Sequence, residues 1–359
     1  MAQHPYKQLP AWNYWKRSVA EPPMDQVDPV IRGKFRIRAS DRVATAGSCF
    51  AQHIARHLKA SGFDYFVSEQ PNPIVPDSLA GQYSFGLYTA RYGNVYTSRQ
   101  LVQLLRRAYG LFQPIDDMWP SSDGYIVDPF RPQIQPRGFA SEAEYWADRR
   151  QHFAAIRRAV EELDVFVFTL GLTETWVCKL DGAAYPLCPG VAGGIFDETK
   201  HAFLNLGAAE VTADLREAVS FIRNRNPLAR FILTVSPVPL VATAEPRSVL
   251  VSTAYSKAVL RVAAEEIANG DEQVAYFPSY EIVTGNHTRG RYFEKDLRSV
   301  TDEGVRRVMT LFMQHYTEAL TAPRQTDTIT VTEQAAEEER QGIIAQAMAV
   351  MCDEEALDQ

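Results

Sequence analysis

No stretch of this 359-residue chain approaches the ~18 to 20 consecutive apolar residues that a membrane-spanning helix needs. The N-terminus, Met1-Ala2-Gln3-His4-Pro5-Tyr6, has no basic segment followed by an apolar one of the kind that directs secretion. No membrane span is expected, and the expected compartment is the cytoplasm. Cysteine is scarce: Cys49, Cys178, Cys188 and Cys352 are too few for a disulfide framework, and none sit in the Cys-x-x-Cys spacing of zinc or dithiol sites. Positive charge is short as well. The 37 Lys and Arg against 44 Asp and Glu leave a net charge of −7, which argues against nucleic acid, whose phosphates are held by clustered cations.

What is present reads as an alternation of strands and helices. The first residues are rich in proline and aromatics (Pro10-Ala11-Trp12, Pro22-Pro23) and suit an N-terminal extended arm, 1–35. A strand ending at Ala46, a turn at Gly47 and a helix with Phe50, Ile54, Ala55 and Leu58 on one face come next. A long loop follows over 70–96, then helices over 98–109 and from Ser141 to about Glu162. Asp164 to Leu170 and Arg230 to Val235 are unbroken β-branched and aromatic runs, the pattern of strands covered on both faces and hence of a parallel sheet. Helices over 211–222 and 252–268, a strand over 273–277 and an amphipathic helix over 301–320 complete the series. The expected fold is α/β, a three-layer doubly wound and mostly parallel sheet with loop insertions, filling one domain over 36–322. The acidic segment 323–359 reads as a loosely attached helix with an apolar patch at Ile343, Ile344, Ala347, Met348 and Met351, a place for a protein partner.

In such a sheet the ligand site lies beyond the carboxyl ends of the strands. The Gly47 turn comes first, because it presents Ser48 and Cys49 at a helix N-terminus, where free amides and the helix dipole favour a thiolate and can hold an oxyanion. His53 lies on the next helical turn and can lean back toward Cys49. The other reading is a buried cysteine serving only as packing. Cys49, His53 and His57 share a face but lack an acidic fourth ligand, so no metal is expected. No cofactor is expected either, since Gly190 to Gly194 lacks the Gly-Lys-Ser/Thr of a phosphate loop. Ser236 and Lys257 offer the residue types of a Ser-Lys hydrolase pair, but Ser236 reads as the end of a strand and Lys257 as part of a solvated helix face.

The string Gly47-Ser48-Cys49-Phe50-Ala51 resembles the signature of the GSCFA family. Four further strings resemble later family blocks in order: Thr169 to Trp176, Thr234 to Val238, Ser256 to Leu260 and Tyr276 to Glu281. That family, which is bacterial, is similar to the SGNH/GDSL ester hydrolases. The resemblance implies an SGNH-like, flavodoxin-like fold and an ester hydrolase or O-acyltransferase acting on a small-molecule or saccharide ester, such as an acetyl ester.

It also implies roles. The nucleophile slot falls on Cys49, with Ser48 beside it. The oxyanion or substrate-binding positions fall on Gly93 and Asn94, and on Gly171, Thr173 and Glu174. The late Asp-x-x-His falls on Asp296-Leu297-Arg298-Ser299, where Asp296 keeps the orienting carboxylate, Arg298 can hold an anionic substrate and histidine is absent. A general base must titrate near neutrality within hydrogen-bond reach of its target. Of seven histidines, His53 has the best local argument, with His201, in a loop-to-helix region between two strands, and His287, in the loop ahead of Asp296, as alternatives. The competing expectation is a binding or scaffold protein that kept the fold without its base.

Overall fold

The computed structural model describes residues 4–48, 50–318 and Leu357. Cys49 and the expected tail helix with its apolar patch lie outside the described residues. The central sheet has the order β1-β4-β8-β9, all parallel, from β1 (Val43–Gly47), β4 (Val165–Leu170), β8 (Arg230–Val235) and β9 (Val274–Phe277). An isolated parallel bridge from Val43 to Tyr65 adds a segment outside β1. The resulting spatial order, with the Tyr65 segment, β1 and then β4, puts the reversal of winding between β1 and β4, where ligands settle in open α/β sheets.

Side-chain alternation explains why these runs carry no polar face. Val165 and Val167 of β4 enter one apolar cluster with α1 (Ala51–Ala60), α7 (Ser279–Thr284) and α8 (Asp302–Tyr316). Phe166, Phe168 and Leu170 enter the other cluster with α3 (Ser98–Ala108), α4 (Glu142–Glu162), α5 (Ala208–Arg223) and α6 (Val249–Asn269). A strand sandwiched between two helix layers must be apolar on both faces. The protein is thus a three-layer α/β structure, as its strand pattern implies. At the edges, Thr97 and Gln100 form a capping box for α3, and Ser141 caps α4 through Glu144 N.

Two features depart from the sequence reading. Residues 201–205, expected in a loop running into a helix, form strand β7 (His201–Asn205), which pairs antiparallel with β5 (Glu174–Cys178); β6 (Ala184–Tyr185) completes a small sheet. His-Ala-Phe-Leu-Asn has no decisive propensity, and its partner lies more than twenty residues away, so the pairing decides. Short elements also punctuate the loops: α2 (Asp77–Gln82) and a hairpin of β2 (Trp119–Pro120) with β3 (Ile126–Val127).

These loops are fastened to α4 mainly by buried charge. Asp128 accepts from Arg131 Nε at 2.8 Å and Arg149 Nη2 at 3.1 Å. Arg149 also bonds Asp117 at 2.6 Å, and Asp148 holds Arg91 at 2.6 Å and, by a second oxygen, Arg131. Glu69 accepts from Arg91 N at 2.7 Å and lies 2.8 Å from His152 Nδ1. Of this network, Glu69, Arg91, Asp128, Arg131, Arg149 and His152 are fully buried. Burial alone would raise the Glu69 carboxyl, but the His152 ring, Arg131 and Arg91 hold it down at about 2.

Candidate functional site

Gly47 ends β1 at φ +134°, a conformation closed to side chains, and a Cβ there would meet Thr169 O at 2.3 Å. This close approach lets Ser48 N donate to Thr169 O at 3.2 Å, while Gly47 O accepts from Val95 N at 2.9 Å. Ala51 N then bonds Ser48 O at 2.9 Å as α1 begins. The Gly93-Asn94 segment is thereby drawn against the turn. Gly171 closes the other side: a Cβ on it would lie 3.1 Å from Ser48 Cβ, and its amide donates to Tyr96 O at 3.0 Å.

Around this turn three buried polar atoms, Ser48 Oγ, Thr169 Oγ1 and Gln52 Oε1, have no hydrogen-bond partner among the described residues. Gln52 is fixed by its other end, which donates to Tyr88 at 3.1 Å and to Asn94 Oδ1 at 3.5 Å. The 171–173 loop is clamped by α6. Lys257 Nζ donates to Gly171 O at 2.8 Å and Ser256 Oγ accepts from Thr173 N at 3.1 Å. The Thr173 hydroxyl donates to Asn205 Oδ1 at 2.7 Å. Lys257 is only 1% exposed, which corrects the reading of it as solvated. It precedes Leu260 by three residues and Ala264 by seven, so it belongs to the apolar face of α6 and comes inward with it.

The other expected residues are spread more widely. His53 is half-buried on α1, packed 5.6 Å from the Phe50 ring. Burial, then Arg56 and His57, lower its pKa to about 4 against a weaker pull from Asp302, so it is neutral at physiological pH. His201 sits opposite Cys178 at the far end of the β5–β7 ladder from Glu174, accepts from Asp197 N at 3.2 Å through Nδ1 and lies 3.2 Å from Asp116 through Nε2. His287 lies in the turn after α7, its pKa lowered by burial and by Arg307 of α8. Asp296 is exposed; it accepts from Ser299 Oγ at 2.6 Å and from the amides of Arg298 and Ser299, each at 2.9 Å, and these bonds lower its pKa. Glu174 accepts from Thr243 at 2.7 Å, and burial raises its pKa.

The structure therefore brings Ser48, Asn94 and Gly171 together, with Thr173 in the adjoining loop. It places His201 and Asp296 in hydrogen-bond networks of their own. Thr169, Gln52 and Lys257 were not among the expected site residues. Only Lys257 had a signal in the sequence, its helical phase.

A family profile described as the GSCFA family matches residues 42–312, from the start of β1 into α8. The chain belongs to the GSCFA family. Among curated proteins no sequence matches it. The GSCFA match covers all four strands of the central sheet and extends into α8.

Proposed function

We propose that the turn between β1 and α1 is the nucleophile site of an acyl-ester hydrolase or O-acyltransferase, with acetyl esters of saccharides in its substrate class. The observation that carries this reading is the set of three unpartnered buried atoms, Ser48 Oγ, Thr169 Oγ1 and Gln52 Oε1, where β1 and β4 end. Each such atom costs about 1–3 kcal/mol, and a fold keeps several together where a ligand or water completes their bonds. The resemblance of the GSCFA string to the nucleophile turn of SGNH hydrolases supports the same reading.

Cys49 is the nucleophile in this proposal. Its sulfur bonds the acyl carbon while the carbonyl π pair moves to oxygen, held by amides at the start of α1 and by Asn94. Collapse breaks the ester C–O bond, and the alkoxide departs with the thiol's proton. Water or an acceptor hydroxyl then takes the acyl group from the thioester. The proton transfer that a late histidine performs in SGNH hydrolases is assigned to Lys257, a buried lysine of α6 whose Nζ reaches Gly171 O just beyond the end of β4.

Turnover of p-nitrophenyl acetate tests this. Cys49→Ala is expected to lower kcat/KM by about 10²–10⁴, and Lys257→Met by about 10²–10³ with a changed pH profile. His53→Ala is expected to stay within about threefold of wild type, because a ring held neutral by burial faces α8. Undiminished turnover by Cys49→Ala would remove the mechanism. A second reading, a binding protein on the same fold, is favoured by one observation. Among the described residues no imidazole bonds Ser48 Oγ, and Asp296 spends its oxygens on its own loop. That reading predicts wild-type turnover no faster than the Cys49→Ala background.

A further inference from the structure

Arg107 closes α3 and is 6% exposed, with its guanidinium carbon 3.5 Å from the centre of the Phe130 ring. Its Nε is buried with no hydrogen-bond partner among the described residues. The carboxylates nearby are bonded to other arginines: Asp128 to Arg131 and Arg149, Asp117 to Arg149, and Asp148 to Arg91 and Arg131. Burial lowers the Arg107 pKa to about 9, helped by Arg149 and opposed by Asp128, which leaves it cationic at neutral pH. A buried N–H donor left without an acceptor costs about 1–3 kcal/mol, more on a charged group, unless something supplies one.

Arg107 lines a cavity of about 20 Å³ together with Tyr92, Asn94, Gln100, Gln103 and Ala184. That volume admits one water-sized guest, for which roughly 10–15 Å³ is enough, and excludes a carboxylate, sulfate or phosphate. Gln103 is spent on the main chain, donating to Gly182 O at 2.8 Å and accepting from Ala184 N at 2.8 Å. Gln100 uses its oxygen to accept from Thr97 N at 2.9 Å, so it can offer a guest only its amide N–H groups. Arg107 has donors alone. A guest between a guanidinium and an amide NH₂ meets positive charge and donors, which satisfy an anion better than a water.

We infer that the cavity beneath Arg107 is a halide site, taking chloride between the Arg107 guanidinium and the Gln100 amide. The guest braces α3 against the Tyr92-to-Val95 segment, whose Val95 N holds the Gly47 carbonyl. Chloride thus stabilises one wall of the strand-end turn. The inference stands on this cavity alone and holds whichever reaction the turn performs.

The test uses the full chain. Thermal midpoints are measured as chloride replaces gluconate, an anion too large for the cavity, at constant ionic strength. Wild type is expected to gain stability with the logarithm of chloride concentration, as a ligand bound only to the folded state requires, and Arg107→Met to show no such slope. Because Arg107→Met risks misfolding, bromide soaked into wild-type crystals gives a second readout. An anomalous peak in the cavity beside Arg107 supports the site. A midpoint indifferent to chloride, or a plain water in the cavity under bromide, overturns it.

Discussion

Replacing Gly47 with alanine is expected to cost about 3–5 kcal/mol of stability and to abolish whatever the strand-end turn does. The backbone at φ +134° is unfavourable for any residue with a Cβ, and the added carbon would lie 2.3 Å from Thr169 O and 2.8 Å from Thr169 N. Relief cannot come from a flexible side chain, because the clash is with the backbone of β4, itself paired on both sides by β1 and β8. Gly171→Ala is the milder companion. Its Cβ would sit 3.1 Å from Ser48 Cβ and 3.2 Å from Tyr96 O, so a shift of a few tenths of an ångström accommodates it. We expect a loss of about 1 kcal/mol, with the larger effect falling on activity. Chemical denaturation midpoints beside turnover separate the two; a Gly47→Ala protein of native stability would contradict the geometry of the turn.

Asp128→Ala is expected to destabilise the protein by about 3–5 kcal/mol, the cost of removing one partner from a buried ion pair. Asp128 accepts from Arg131 Nε at 2.8 Å, Arg149 Nη2 at 3.1 Å and Phe130 N at 3.0 Å, so its loss takes one carboxylate from each of two buried guanidiniums beside Arg107 and leaves them only Asp148 and Asp117. Burial alone would raise its carboxyl; Arg149, Arg131 and Arg107 overcome this and hold it well below the ordinary carboxylate range.

The same network sets the acid limit. Carboxylates whose pKa falls on folding stabilise the fold above their unfolded pKa, and that contribution fades as pH drops through the folded value. For Glu69 the window runs from 4.5 down to about 2. His53 and His152, both lowered below 6.5 on burial, act in the same direction, since below 6.5 the unfolded chain takes protons that the folded chain refuses. Stability should therefore decline below about pH 6.5 and steeply below about pH 4.5, with the lower part flattened in Asp128→Ala. Denaturant midpoints across pH 3–8 measure it. An acid profile unchanged by the substitution would mean that the network does not hold the loops.

The apolar runs and one glycine were enough to specify the sheet and the turn that follows β1. Val-Phe-Val-Phe-Thr-Leu and Phe-Ile-Leu-Thr-Val have no polar face to give to solvent, so they had to be covered on both sides, and the glycine that ends β1 marked the turn. Helical phase carried the packing faces of α3, α5 and α8, because burying an amphipathic stripe requires no knowledge of its partner beyond its being apolar.

Pairing across distance was settled by the folded chain. The β5–β7 sheet joins strands whose own propensities are weak, and with it His201 left the candidate site for a network with Asp116 and Asp197. Lys257 became buried because α6 packs against the sheet, with the Gly171 carbonyl waiting at its end. The ionic network around Asp128, with Arg107 stacked on Phe130 beside it, draws on the loops and helices between Phe66 and Leu163. Charge pairing is set by three-dimensional proximity, and a linear pattern of charged residues does not distinguish a buried partner from a solvated one.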